Sequence, residues 1–331
     1  MKHVKSLKIM GFSQIFNVNK HEMTQAKQNY YLKDRQISGT SSAGASGARV
    51  LVEFFKAITE NLFGMKFIVL SLMLILAFLL AYPLVSSWSF FTDIPIANWL
   101  SFDWDPDNDS FGMGVQLTGS LLLVLTTLPL ALLMGWIISL QLVDNRKNWL
   151  NPIIVGILEV WISLPSIIIG IWAIIEIIPL VRETFGGRGY SLLATTIGMT
   201  IFIMPTCTLL FYRSYLSHLD QYQGLESSFQ MSVLSRSELF IKSQPTAVIG
   251  TINYIFCRIF GETMVVLMVS GNSLQVPGNF LEGFRTLTAT IAMEMAYAAD
   301  MHATALFAMA SVAIVFILVV LLAQYKRLIN V

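Results

Sequence analysis

The chain has 331 residues, 55% hydrophobic and 12% charged, with 21 Lys and Arg against 20 Asp and Glu. Soluble domains carry roughly 25% charged residues, so about half the charge that coats a soluble surface is missing, and the mean hydropathy of +0.67 agrees. A net charge of +1 supplies no basic field for nucleic acid. Cys207 and Cys257, both inside apolar runs, make neither a disulfide framework nor a metal site. Soluble enzyme, nucleic-acid binder and secreted scaffold are excluded. The composition is that of an all-α polytopic membrane protein.

The first sixty-odd residues are polar and contain no signal-peptide core, so no cleavage for export is expected. Residues 1–48 read as a disordered cytoplasmic tail that includes the small, flexible run Gly39–Gly47. Over 49–66, Val50, Leu51, Phe54, Phe55, Ile58, Leu62 and Phe63 recur at helical spacing, with Glu53, Lys56 and Glu60 on the other face. This predicts an amphipathic helix, either lying on the membrane interface or docked on protein. The region 67–331 then holds six apolar segments, each near the ~20 helical residues that cross a hydrocarbon core. They are approximately Phe67–Val85, Leu117–Val143, Val155–Pro179, Ser191–Tyr212, Val248–Gly271 and Thr304–Gln324. Thr286–Ala299 is apolar but short and carries Glu294, and it reads as a re-entrant or interfacial piece.

Lys and Arg set the orientation. Seventeen fall on one side: ten before the first span, then Arg146, Lys147, Arg213, Arg236, Lys242, Lys326 and Arg327. The other side holds Arg182, Arg188 and Arg285, and its first loop is acidic (Asp93, Asp103, Asp105, Asp107, Asp109). Both termini are therefore expected in the cytoplasm.

Charges inside a bilayer need a reason, because each costs about 2.5–3.5 kcal/mol on insertion scales. Arg258 and Glu262 fall inside the fifth segment, four residues apart and so on one face of a continuous helix. Either they neutralise each other and pin this helix to a neighbour, or they line a polar path on which Arg258 meets an anion. A guanidinium suits phosphate or carboxylate because its planar fork donates two parallel hydrogen bonds. In the third segment Pro165 breaks or kinks the helix and Gly170 loosens it further. Such interruptions place freed backbone groups around a substrate in transporters, and they also occur in spans that are merely packed. Ser163 and Ser166 flank the break. Thr195, Thr196 and Thr200 of the fourth segment can line a path or satisfy their own backbone. Glu159 and Glu176, near the ends of the third segment, are expected to reach headgroup water. The methionines near the fifth segment read as packing, and His302 as satisfied or solvated. No P-loop or hydrolase motif occurs, so no catalysis and no nucleotide binding are expected on this chain.

The loop 213–246 is the longest between predicted spans on the basic side. After Gly224, the stretch Glu226–Phe240 is helix-compatible, and Pro245 marks the entry to the next span. Such a helix is a docking surface or mere connection. Glu226-Ser227-Ser228, with Ser232 and Gln244-Pro245, resembles a weakened form of the Glu-Ala-Ala loop of ABC importer permeases. Three further stretches resemble phosphate permeases of the PstC type: LPSIIIGIW (Leu164–Trp172), RIFGETMVVLMVSGNS (Arg258–Ser273) and RTLTATIAMEMAYA (Arg285–Ala298). The resemblance covers roughly Met65 to the C-terminus.

The resemblance implies a six-span, MetI-like (type I) permease subunit of the cell inner membrane, with no cofactor of its own. It implies pairing with a second, PstA-like permease and with two cytoplasmic ATPase subunits that use ATP and Mg. A periplasmic or lipid-anchored phosphate-binding protein would deliver substrate. Arg258, with Glu262 beside it, falls on the intramembrane arginine associated with phosphate passage, although Cys257 stands where glycine is often found. Ser163, Ser166 and Thr200 are the candidate neutral donors of the pathway. Gly224, Glu226, Ser227, Ser228, Ser232 and Pro245 fall on the ATPase-docking loop. Permeases for another oxyanion or for phosphonate share this chemistry. An ion-coupled secondary transporter using Glu262 and Arg258, or a non-transporting assembly subunit, are readings of other classes.

Overall fold

In the computed structural model the described residues are 66–221 and 233–329, with side chains for 66–219 and 235–323. The chain divides into two compact units, 1–76 and 77–331. Of the first, residues 66–76 are described, as the exposed apolar start of helix α1 (Lys66–Asp93). The tail 1–48 and residues 49–65 of the amphipathic stretch lie outside the described residues.

The second unit is helical because long apolar runs in lipid must satisfy every backbone group within the segment. After Ser87, where α1 makes a turn, the Ser87 hydroxyl bonds Ser311 Oγ (3.0 Å). The acidic loop that follows folds into a one-turn helix, α2 (Ile96–Trp99), and a small hairpin. In the hairpin, β1 (Trp104–Asp105) pairs antiparallel with β2 (Ser110–Phe111), and Asp109 turns the chain at φ 53°. α3 (Gly114–Asp144) and α6 (Leu192–Gln221) run side by side through the core. Their contact is close because small residues face it: a Cβ on Gly135 would lie 2.8 Å from Cys207 Cβ. The hydroxyls of Thr126 and Thr196 bond each other at 2.9 Å.

The predicted third segment, Val155–Pro179, corresponds to two helices, α4 (Leu150–Ser163) and α5 (Ser166–Phe185), bent by 95°. Pro165 supplies the break: it sits extended as the N-cap of α5 and cannot donate to the preceding turn. Asn151 Nδ2 bonds Leu142 O and Asn151 Oδ1 accepts from Tyr212 (3.3 Å), while Glu159 pairs with Arg213 (2.6 Å). Residues two turns apart on α4 thus meet consecutive residues of α6, so α4 crosses α6 instead of running beside it. The 20 residues of α5 alone span about 30 Å, one hydrocarbon core. Within α5, Ala173–Ile177 form a π turn.

The fifth predicted segment is also two pieces, α8 (Pro245–Phe260) and α9 (Met264–Val269), separated at Gly261–Thr263. Between α6 and α8 lies α7 (Val233–Ser243). The fold closes with α10 (Leu287–Glu294) and α11 (Asp300–Ile329). Four of these helices, α1, α3, α6 and α11, are long and apolar enough to cross a membrane, and a fifth if α4 and α5 count as one. The six predicted segments are therefore not six continuous helices: proline and glycine interrupt two of them.

Candidate functional site

The break between α8 and α9 places both charges of the fifth predicted segment. Gly261 caps α8, its N–H bonding Cys257 O at 3.0 Å. Because the helix stops there, Arg258 and Glu262 do not share a continuous face. No ion pair joins them among the described residues, which corrects the mutual-neutralisation reading. Glu262 instead serves the next helix: its Oε1 accepts from Met264 N (3.1 Å) and Val265 N (3.5 Å), and its carbonyl accepts from Thr288 (2.9 Å). An acceptor at these unpaired N–H groups stabilises a helix start, and a carboxylate also complements its dipole. Glu262 is thus accounted for without Arg258.

Arg258 is left with one described contact. Its guanidinium carbon lies 5.0 Å from the centroid of Phe202, a cation–π contact worth about 0.5–2 kcal/mol depending on desolvation. Its Nε is buried without a hydrogen-bond partner, the residue as a whole is half-buried, and no carboxylate pairs with it among the described residues. Phe202 sits about three turns into α6 from its Leu192 end, so the contact falls within the apolar span. The site therefore presents a partly open guanidinium with unspent donor capacity.

The remaining pathway residues are placed less suggestively. Ser163 donates to Glu159 O (2.9 Å) and Thr200 to Thr196 O (2.7 Å), each satisfying its own helix. Ser166 opens α5 and is half-buried. Gly170 packs instead of loosening: a Cβ there would come within 2.6 Å of Met268 Sδ, so its bareness lets α9 approach α5. Glu176 lies midway along α5, not near its end, because the break at Pro165 moves the start of that helix to Ser166.

A charge cluster that sequence reasoning did not assemble lies at the opposite end from the basic loops. Arg285 donates to Glu294 (2.7 Å) and to Asn272 O (3.1 Å). His302 Nε2 and Trp104 Nε1 both stand 3.0 Å from the other Glu294 oxygen. Glu294 is 5% exposed. The cluster ties the hairpin, the 270–286 loop, α10 and α11 to one carboxylate, and it makes the half-buried His302 a partner of that carboxylate. Buried charges survive when paired and hydrogen-bonded on all sides. The periodicity of the sequence carries no signal for it, since its members are up to 198 positions apart.

On the basic side, α6 runs two turns past the predicted Tyr212 end. The reason is packing: Tyr215 and Leu219 join Val143 and Phe240 in a small core, with Tyr215 and Phe240 rings 4.9 Å apart. Phe240 is fully buried, and it anchors α7. Within α7, Lys242 pairs with Glu238 (2.6 Å) and holds that carboxyl below its ordinary range. A pocket of about 350 Å³ beside α7 is lined by Asp144, Arg146, Lys147 and Arg236 among others. Of the predicted docking residues, Pro245 begins α8. Gly224, Glu226, Ser227, Ser228 and Ser232 lie outside the described residues.

The chain is similar to a probable ABC transporter permease, YqgH, of Bacillus subtilis, at 25% identity over 61% of this chain and 67% of that one. It is similar to the phosphate transport system permease protein PstC of Pasteurella multocida, at 22% identity over 73% of this chain and 82% of that one. A probable PstC of Methanocaldococcus jannaschii is 24% identical over 73% of this chain and 81% of that one. No family model and no solved structure matches the chain. Its apolar helices and these relatives make it a multi-pass membrane protein and a distant relative of the PstC-type permeases of ABC transporters.

Proposed function

We propose that this chain is one membrane-spanning subunit of an ABC importer that carries inorganic phosphate across the cell inner membrane. The observation that carries the reading is Arg258, a guanidinium within an apolar span that no carboxylate neutralises among the described residues. Phosphate loses hydration on entering such a span, and a guanidinium fork replaces it with paired charge-assisted hydrogen bonds. Ser166 at the α4–α5 break is a neutral donor beside that path. Ser163 and Thr200 have already spent their protons on their own helices and contribute only as acceptors or after rotation.

In this reading α5, and α8 with α9, each cross the membrane once, giving six crossings in a MetI-like arrangement with both termini in the cytoplasm. A second permease chain, PstA-like, forms the other wall of the path, and a phosphate-binding protein feeds the outer mouth. Two ATPase subunits hold ATP and Mg and act on the loop 213–246, whose helix α7 transmits their movement through Phe240 to α3 and α6. Rigid-body tilting then alternates access to Arg258 between the two sides.

The test is reconstitution of the whole complex in liposomes. Phosphate import that requires internal or external ATP at the ATPase face supports the reading. Import driven by an ion gradient with no ATP would place the chain in the secondary-transporter class instead.

A further inference from the structure

Within α5, Ile169, Gly170, Ala173, Ile177, Ile178 and Val181 are buried against the chain's own core. Gly198 of α6 and Met268 of α9 meet that face. The opposite face is apolar and uncovered, with Ile171, Ile175 and Leu180 exposed, Ile175 at 62%. In its middle stands Glu176, exposed and without a hydrogen bond or ion pair among the described residues. It sits in the π turn Ala173–Ile177, a distortion that re-aims side chains and recurs at functional positions. An unpaired carboxylate against hydrocarbon at the centre of a membrane-length helix is costly, and a partner's cation or a bound proton must offset its charge. It cannot snorkel, since each end of α5 is about 15 Å away.

We propose that this face of α5 is an interface with a second membrane-embedded chain, and that the partner presents a lysine or arginine to Glu176 at mid-membrane depth. The proposal rests on the reading of this chain as one of two membrane-spanning subunits, and it names the contact between them. Charge complementarity identifies the occupant. Lipid tails supply no cation, and the residues flanking Glu176 on this face, Ile171, Ile175 and Leu180, are apolar. Glu176 is a recognition residue here, with no part in substrate chemistry.

The assembled complex, in its own membrane, tests this directly. A benzophenone side chain placed at Ile175 is photoactivated and the adduct sequenced, with a second probe at Val85 on α1 as a lipid-facing control. The expected adduct is a peptide of a membrane-spanning segment with Lys or Arg within one turn of the crosslinked residue. Its yield falls about tenfold with Glu176→Leu, and reversing the partner's cation to Glu restores it in Glu176→Lys. Adducts to lipid alone, or to a segment without a cation, overturn the proposal. Rapid labelling of Glu176→Cys by a water-soluble maleimide in the intact complex also overturns it, because the side chain would then face an aqueous path. If import proves independent of ATP while the crosslink stands, the transport reading fails and the interface survives. ATP-driven import with lipid-only adducts is the converse.

Discussion

Arg258 and Glu262 show how a local backbone choice decides the chemistry of two side chains. Four residues of separation place them on one face only while the helix continues, and Gly261 ends it. Glu262 then caps α9, and Arg258 keeps its donors for something else. Lysine preserves the charge but not the planar fork, so Arg258→Lys should retain import with Km raised about tenfold. A Km unchanged in Lys would mean that the fork contacts no phosphate. At the outer cluster, Glu294→Ala leaves the largely enclosed Arg285 side chain, 11% exposed, without its anion. The expected loss is about 3–5 kcal/mol in the unfolding of the purified protein; a loss under about 1 kcal/mol would show that the cluster is wetter than its geometry. The Glu238–Lys242 pair gives a milder, pH-dependent effect. Lysine holds the Glu238 carboxyl below its ordinary value, so the pair's stabilising contribution is present above the ordinary carboxylate range. It is lost as pH falls through the lowered value. Glu238→Gln should abolish that acid dependence of α7 helicity, followed by amide exchange.

The helices themselves are where sequence and structure part company most instructively. Hydropathy places an apolar run within each of α1, α3, α6 and α11, because such a run has one way to satisfy its backbone in lipid. Yet α1 and α6 continue well past the predicted ends at Val85 and Tyr212, to Asp93 and Gln221. The two broken elements were legible only in part. Pro165 announces an interruption, yet the 95° bend depends on α4 docking across α6 through Asn151 and Glu159, which no periodicity encodes. Gly261 announces nothing, since glycine is common inside membrane helices. The extension of α6 past Tyr212 depends on Phe240, a residue of another element. Tight helix contacts follow the same logic of distant partners. A Cβ at Gly119 would lie 2.2 Å from the backbone oxygen of Arg285, which cannot swing aside. Gly119→Ala should therefore lift the 284–290 segment from α3 and lower stability by about 1–3 kcal/mol, read as an earlier thermal transition. Phe240→Ala should cost about 3–5 kcal/mol of local stability and detach α7. In the assembled complex, transport should then fall while ATP hydrolysis continues uncoupled.

For the molecule as a whole, composition alone settled the solvent: half the usual charge and a mean hydropathy of +0.67 demand a bilayer. Arg258, on which the proposed path rests, stands out in the sequence as the one Lys or Arg that falls inside a predicted apolar segment. The cluster around Glu294 and the exposed carboxylate of Glu176 needed three-dimensional neighbours. The proposed ATP-driven import also predicts the response to a change of energy source. Dissipating the proton gradient with ATP held constant should leave import unchanged, and strong inhibition would favour proton coupling.

The central claim is that the Arg258 guanidinium contacts the passing oxyanion. Uptake of labelled phosphate into liposomes holding the complete complex, compared between the native chain and Arg258→Gln at equal assembled amounts, measures it most directly. Removing one partner of a desolvated charge pair predicts a fall of about thirtyfold or more with assembly intact. Native uptake by the Gln variant, or loss of assembly with normal uptake by the residual complex, would contradict the account.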